Sequence, residues 1–291
     1  MNEATSRALL YGGALAVLGG IAAWWANTDK EADVVTLLSG ANAQLQMAHA
    51  MPAVDLEGVP LDSRDALIAT AIDQLERVER VQPGMAVTAE FRGFAHMLHG
   101  EFRDAAACYE QARACEDCGD EQRDVLAFNQ ARMLAKAGDG VRALEVFAAN
   151  KVALDERYGH QRVLEEAAIL AELGRHDEVL SRLAELLGDE HAPPVARLQA
   201  GRLLLDAGHD GLAEVALDGA RHALPIADYY YARLKLRGGD VDTCLESLTR
   251  VVDARPAEVR RLVTRDAGAW SDVRDERIQR LLDLQLASPG R

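Results

Sequence analysis

Aromatic side chains make up only 5% of this 291-residue chain, cysteine occurs four times and proline eight times. Each scarcity excludes something. A β-sandwich wants aromatic and β-branched strands, so a chain this poor in aromatics and rich in alanine and leucine points to helix-on-helix packing. Four cysteines cannot build a disulfide scaffold in a chain of this length. Positive charge is also short: 32 basic against 47 acidic side chains leave a formal charge of −15. Nucleic-acid binding needs clustered cations to displace counterions, so that class is disfavoured. The chain holds no phosphate loop, dinucleotide fingerprint, nucleophile elbow or zinc-protease helix, so a non-enzymatic protein without cofactor is expected.

Long uncharged runs are absent too, with one exception. Residues 8–26, ALLYGGALAVLGGIAAWWA, carry no charge and as a helix would reach about 28 Å, close to the hydrocarbon thickness of a bilayer. The cleavage signals that would mark an export peptide are poor: a cut after Ala26 places Trp24, and one after Ala23 places Ile21, where small residues are wanted. No cysteine follows closely to carry a lipid anchor. Trp24 and Trp25 stand at the exit, where amphipathic rings prefer the membrane interface. These features predict an uncleaved single span, with a cleaved, soluble exported protein as the alternative. Arg7 and the amino terminus against Lys30 orient the chain with its N-terminus inside. That puts a single-pass protein in a bacterial inner membrane with its remainder in the periplasm. Ala8, Gly12, Ala16 and Gly20 recur at four-residue steps, a flat stripe suited to packing against another membrane helix.

After the span, apolar residues recur at three and four, and glycines punctuate the chain in similar contexts. Gly100, Gly138, Gly174, Gly208 and Gly239 each follow one apolar helical pattern and precede another, at spacings of 38, 36, 34 and 31. A period in the thirties marks a helical solenoid. Around these glycines lies a set of small and large positions: Gly93, Phe102, Ala105, Tyr109 and Ala112; Ala131, Ala143 and Phe147; Ala167, Val179 and Leu183; Gly201, Ala213, Leu217 and Ala220; Ala232, Cys244, Leu248 and Val251. Ala71, Leu75 and Val78 read as the second helix of an earlier unit, with a first helix near 31–50 and the loop 51–63 between them. This pattern resembles the tetratricopeptide repeat family, whose unit is a 34-residue helix–turn–helix. The tail VRDERIQRLL, 273–282, resembles the segment that closes bacterial arrays of that family, and a solenoid end needs such a cover.

The resemblance implies an all-α, right-handed solenoid preceded by one transmembrane helix. It divides the chain into a tail (1–7), the span (8–26), a juxtamembrane segment with the first solenoid helix (27–62), repeats (63–256), a cap (257–286) and a frayed end (287–291). It also implies a concave surface, lined by the first helix of each repeat, that holds protein partners. The slots carried over are Phe94, Met97 and Leu98; Phe128, Arg132 and Lys136; the small Ala168 and Ala171; Arg202; and Tyr229, Arg233 and Arg237. Arginines and aromatics are favoured contact residues. The expected role is a membrane-anchored scaffold or adaptor, an accessory subunit or assembly factor whose partners include a membrane protein, with no nucleic acid and no small-molecule substrate. Against this stands a thiol or metal reading of Cys115-Glu-Asp-Cys118, whose spacing has no second ligand pair to complete it. His96 and His99, one helical turn apart, could help bind metal, but nothing acidic or thiolate is poised with them, and they read as a half-exposed helical pair.

Overall fold

The computed structural model describes residues 29–52, 62–271 and 273–287. The 8–26 stretch, with Ala8, Gly12, Ala16 and Gly20, lies outside the described residues, as do the N-terminal tail and most of the 51–63 loop. Among the described residues every regular element is a helix, and no helix is long and apolar enough to cross a membrane. They form two units, one ending at Arg162 and one starting at Val163.

The N-terminal unit holds α1 (Asp29–Ala50), α2 (Asp62–Val81), α3 (Ala86–His99), α4 (Phe102–Ala114), α5 (Asp120–Lys136) and α6 (Gly140–Ala149). It ends in the first half of α7 (Lys151–Glu172), a helix bent at Gly159. Helices α1 and α2 pair, as do α3 with α4 and α5 with α6, and the α2–α3 and α4–α5 contacts join the pairs. The C-terminal unit holds the rest of α7, α8 (His176–Gly188), α9 (Pro194–Asp206), α10 (Asp210–Arg221), α11 (Ala227–Arg237) and α12 (Val241–Ala254). A cap follows: α13 (Pro256–Arg265), the short α14 (Ala267–Trp270) and α15 (Glu276–Ala287).

The five spaced glycines share one backbone state. Their φ angles are 80°, 81°, 71°, 84° and 80°, the left-handed region where a side chain is strained. At the first, Gly100 N–H donates to Met97 O at 3.1 Å and Glu101 N–H to His96 O at 2.9 Å. This pair of bonds closes the helix C-terminus and satisfies its orphan carbonyls. The same two bonds recur at Gly138, Gly174, Gly208 and Gly239.

The small positions are small because helices meet there. A Cβ on Gly93 would stand 2.8 Å from the Tyr109 ring and 3.2 Å from Ala105 O; one on Gly201 would stand 2.6 Å from Leu217 Cγ. The large positions fill the gaps between pairs: Leu75, Phe147, Leu183, Leu217 and Leu248 are fully buried, each such side chain contributing about 1.5–3 kcal/mol of transfer free energy. In the cap, the Asp275 carboxylate accepts from Arg277 N at 2.8 Å and Ile278 N at 3.3 Å, an N-cap for α15. That places Ile278, Leu282 and Val273 in the core.

Candidate partner-binding groove

The carried-over groove residues sit differently in the two units. In the N-terminal unit Phe94 and Met97 are half-buried on α3 and pack on the core that α1 and α2 supply, the His49 ring lying 5.7 Å from Phe94. Leu98 is buried in that core. Phe128, expected to face a ligand, is instead a core residue, 1% exposed. Tyr158 of α7 stacks on it at 4.1 Å with the rings 14° apart, and Phe147 lies 5.7 Å away. Arg132 stands over the Phe128 ring at 5.8 Å, and Lys136 Nζ lies 5.3 Å from the Phe102 centroid. Rings from the chain itself therefore cover much of the apolar face assigned to a partner. Beside them Glu90 accepts from Gln122 Nε2 at 2.7 Å. Burial pushes its carboxyl above the usual range, an effect the Gln122 hydrogen bond only partly offsets.

The CEDC segment is a structural turn. Cys118 N–H donates to Cys115 O at 3.2 Å, and the Asp117 carboxylate accepts from Ala86 N at 3.0 Å, capping α3 from 31 residues away. Burial pushes the Cys118 thiol up to about 11 and raises Cys115 as well, helped there by Asp117 and Glu79. Thiolates are the reactive and ligating form, and burial here disfavours that form. His96 does have acidic company, across the turn: its Nδ1 lies 2.6 Å from Glu101 Oε2, with Asp104 close by.

In the C-terminal unit α11 presents two faces. On one, the buried Asp228 carboxylate is held by Arg221 at 3.0 Å and Arg250 at 3.1 Å. The Arg221 guanidinium lies 4.1 Å over Tyr231, and Lys235 meets Glu214 at 2.5 Å. The other face carries Tyr229, Arg233 and Arg237 at successive turns. Tyr229 is fully buried and so is not a ligand-facing residue. The cap covers it: Trp270 Nε1 donates to Tyr229 Oη at 3.0 Å, and Tyr229 donates to Asp266 Oδ2 at 3.2 Å. Asp266 also accepts from Arg233 at 3.1 Å and Arg265 at 2.6 Å. Burial alone would raise this carboxyl, but the Arg265 hydrogen bond and the Arg233 and Arg265 charges outweigh it and hold it below the ordinary range. Arg233 reaches Asp206 at 3.4 Å as well, and Arg237 is paired with Asp210.

Two clefts flank Arg233. One, of about 560 Å³, has apolar walls of Leu205, Leu236, Val241 and Val273 and is rimmed by Arg233, Arg237, Arg274 and Asp275. The other, of about 410 Å³, lies between Arg202 and Asp206 of α9 and Arg265, Asp266 and Ala269 of the cap. Among the described residues no carboxylate pairs with Arg202 or Arg274. Both guanidiniums thus lie in clefts whose other cations are engaged. Arg274 escaped the sequence reading because it belongs to the cap. The signal that could have found the ion pairs is spacing: Asp206 and Asp210 each precede their arginine by 27 residues, nearly one repeat.

No family model matches the sequence, and no curated protein matches it. Solved structures do. One is the crystal structure of PilW, described as a widely conserved type IV pilus biogenesis factor: 13% identical, covering 75% of this chain and 94% of its own, TM-score 0.54. Another is PilF of Pseudomonas aeruginosa: 13% identical, covering 75% of this chain and 93% of its own, TM-score 0.50. Likeness at this identity shows the fold, an all-helical, tetratricopeptide-like arrangement.

Proposed function

We propose that this chain is a non-enzymatic, membrane-anchored scaffold whose C-terminal unit holds a segment of a protein partner. The observation that carries this reading is a pair of unpaired guanidiniums, Arg274 in an apolar-walled cleft and Arg202 in the second cleft across Arg233. Such a cleft suits an extended segment with apolar side chains and a carboxylate, since arginine matches carboxylate geometry with two parallel hydrogen bonds. The engaged Arg233–Asp266 pair between the clefts sets their spacing and stays out of the exchange. The 8–26 stretch would confine this surface to the bilayer plane and raise the effective concentration toward membrane partners. In this reading the N-terminus is cytoplasmic, the repeats periplasmic, and the partner a component of a membrane complex. The fold shared with PilW, described as a type IV pilus biogenesis factor, supports assembly work of that kind.

The test is purification of the full chain in mild detergent with identification of what co-purifies, repeated with Arg202→Glu and Arg274→Glu. A partner recovered with the wild type and lost from the doubly reversed variant supports the reading. Undiminished recovery from a folded double variant would exclude these clefts as the contact.

A further inference from the structure

The α3–α4 turn carries a group of side chains that the partner-binding reading does not use. His96 lies in the last turn of α3, Glu101 follows the turn glycine, and Asp104 lies in the first turn of α4. One ligand-type atom from each lies within 4.8 Å of the other two. The backbone under them is fixed, because Glu101 N–H donates to His96 O at 2.9 Å. His96 and Glu101 side chains are 33% and 49% exposed, so solvent and ions reach them.

Four sibling turns with the same backbone show what this position ordinarily holds. Where the first turn has Glu101 and Asp104, the second has Asp139 and Arg142, an ion pair at 3.9 Å. The third has Arg175 and Glu178, an ion pair at 2.5 Å. The fourth has His209 and Leu212; in the fifth Asp240 accepts from Thr243 N at 3.1 Å. Only the first sets two carboxylates three residues apart, and like charges at helix spacing repel. Glu101 has His96 as partner, but among the described residues no cation pairs with Asp104. The residue accepting the turn-closing bond also differs: His96 in the first turn, leucine in the next three and Lys235 in the fifth. The first turn thus combines an imidazole with an uncompensated carboxylate pair, where its siblings combine an apolar or cationic side chain with a neutral or compensated pair.

We propose that His96, Glu101 and Asp104 bind a divalent transition-metal cation of the zinc class. One imidazole nitrogen and two carboxylate oxygens are a borderline donor set that suits zinc over magnesium or calcium, which prefer all-oxygen shells. Zinc–nitrogen and zinc–oxygen distances of roughly 2.0–2.2 Å put neighbouring ligands of a tetrahedral site about 3.3 Å apart, so the observed group needs only small side-chain adjustments. The cation would relieve the repulsion between Glu101 and Asp104 and tie α3 to α4, with its remaining positions open to water. No cysteine takes part.

The experiment is calorimetric titration of the detergent-solubilised full chain with zinc chloride, and with magnesium chloride for contrast. One equivalent of zinc should bind and magnesium should not. His96→Ala should weaken zinc by at least the roughly 100-fold that losing even an outer-shell partner can cost. Asp104→Asn should weaken it about tenfold or more, and Cys115→Ser/Cys118→Ser should leave it unchanged. The three ligands are surface groups, so circular dichroism of these variants should match the wild type. Absence of zinc binding, equal binding by the His96→Ala and Asp104→Asn chains, or loss in the cysteine variant would each overturn the proposal.

Discussion

The two units use the same turn glycines and the same buried small and large positions, yet they treat the inner faces of their first helices in opposite ways. In the N-terminal unit that face is sealed by rings, with Phe128 between Tyr158 and Phe147. In the C-terminal unit it is sealed by charge, with Asp266 gathering Arg233, Arg265 and Tyr229 under Trp270. Stacked rings exclude water and leave little directional demand. A network of charged hydrogen bonds fixes geometry, and among the described residues the neighbouring Arg202 and Arg274 have no carboxylate partner. The repeat template therefore specifies how helices pair, while a handful of side chains outside the template decides whether a face is closed by rings or by charge.

The largest effect should come from emptying the ring stack. Phe128→Ala should cost about 3–5 kcal/mol, seen in urea unfolding, and hydrogen exchange should rise among residues 86–162 before the C-terminal unit. Uniform exchange through both units would break the comparison. Next, Asp266→Asn should cost about 1–3 kcal/mol, since Arg233 and Arg265 lose a charged partner, with Trp270 fluorescence reporting release of the cap. A helix-pairing change should not distinguish the units. Gly93→Ala and Gly201→Ala each force a Cβ into a neighbour, at about 1–3 kcal/mol of overpacking offset by about 1 kcal/mol of helix propensity, so similar losses in melting experiments are expected. The smallest change in stability, within about 0.5 kcal/mol, belongs to Arg202→Ala, which touches no ion pair.

Acid should separate the units by sign. Asp266 is held below the ordinary carboxylate range, so its contribution is present above the unfolded value near ~3.9 and fades as pH falls through the lower folded value. Glu90 is raised by burial, so its protonated form favours the folded state. That contribution is full below the unfolded value near ~4.3 and is lost as pH rises through the higher folded one. Cap fluorescence in the wild type should therefore change on acidification below about pH 4 and be flat in Asp266→Asn. Protection factors around α3, taken relative to intrinsic exchange at each pH, should rise over the range in which Glu90 takes up its proton, and Glu90→Gln should abolish that rise.

The pairing of helices was legible because its signals are local. A left-handed glycine, a small residue at a helix crossing and a large one at the next gap each act within one hairpin, so Gly100, Gly93 and Tyr109 could be read together. The faces were not legible, because their partners come from far along the chain: Tyr158 lies 30 residues beyond Phe128, and Trp270 lies 41 beyond Tyr229. Arginines that read as a basic groove proved to be paired with carboxylates about one repeat away, at Asp206 and Asp210. His96 and Glu101 sit between these cases. They are five residues apart and meet only because the glycine turn folds one helix back on the other, so a search along a single helix face passes over them.

The uniform turns also bear on heredity. Each glycine junction leaves its helix and enters the next with the same backbone angle and the same two closing bonds. A recombination that joined the chain at Gly174 to the chain after Gly208 would recreate an existing junction, and one that copied the segment between them would add another. Repeat number can thus change by whole segments without inventing a new bend.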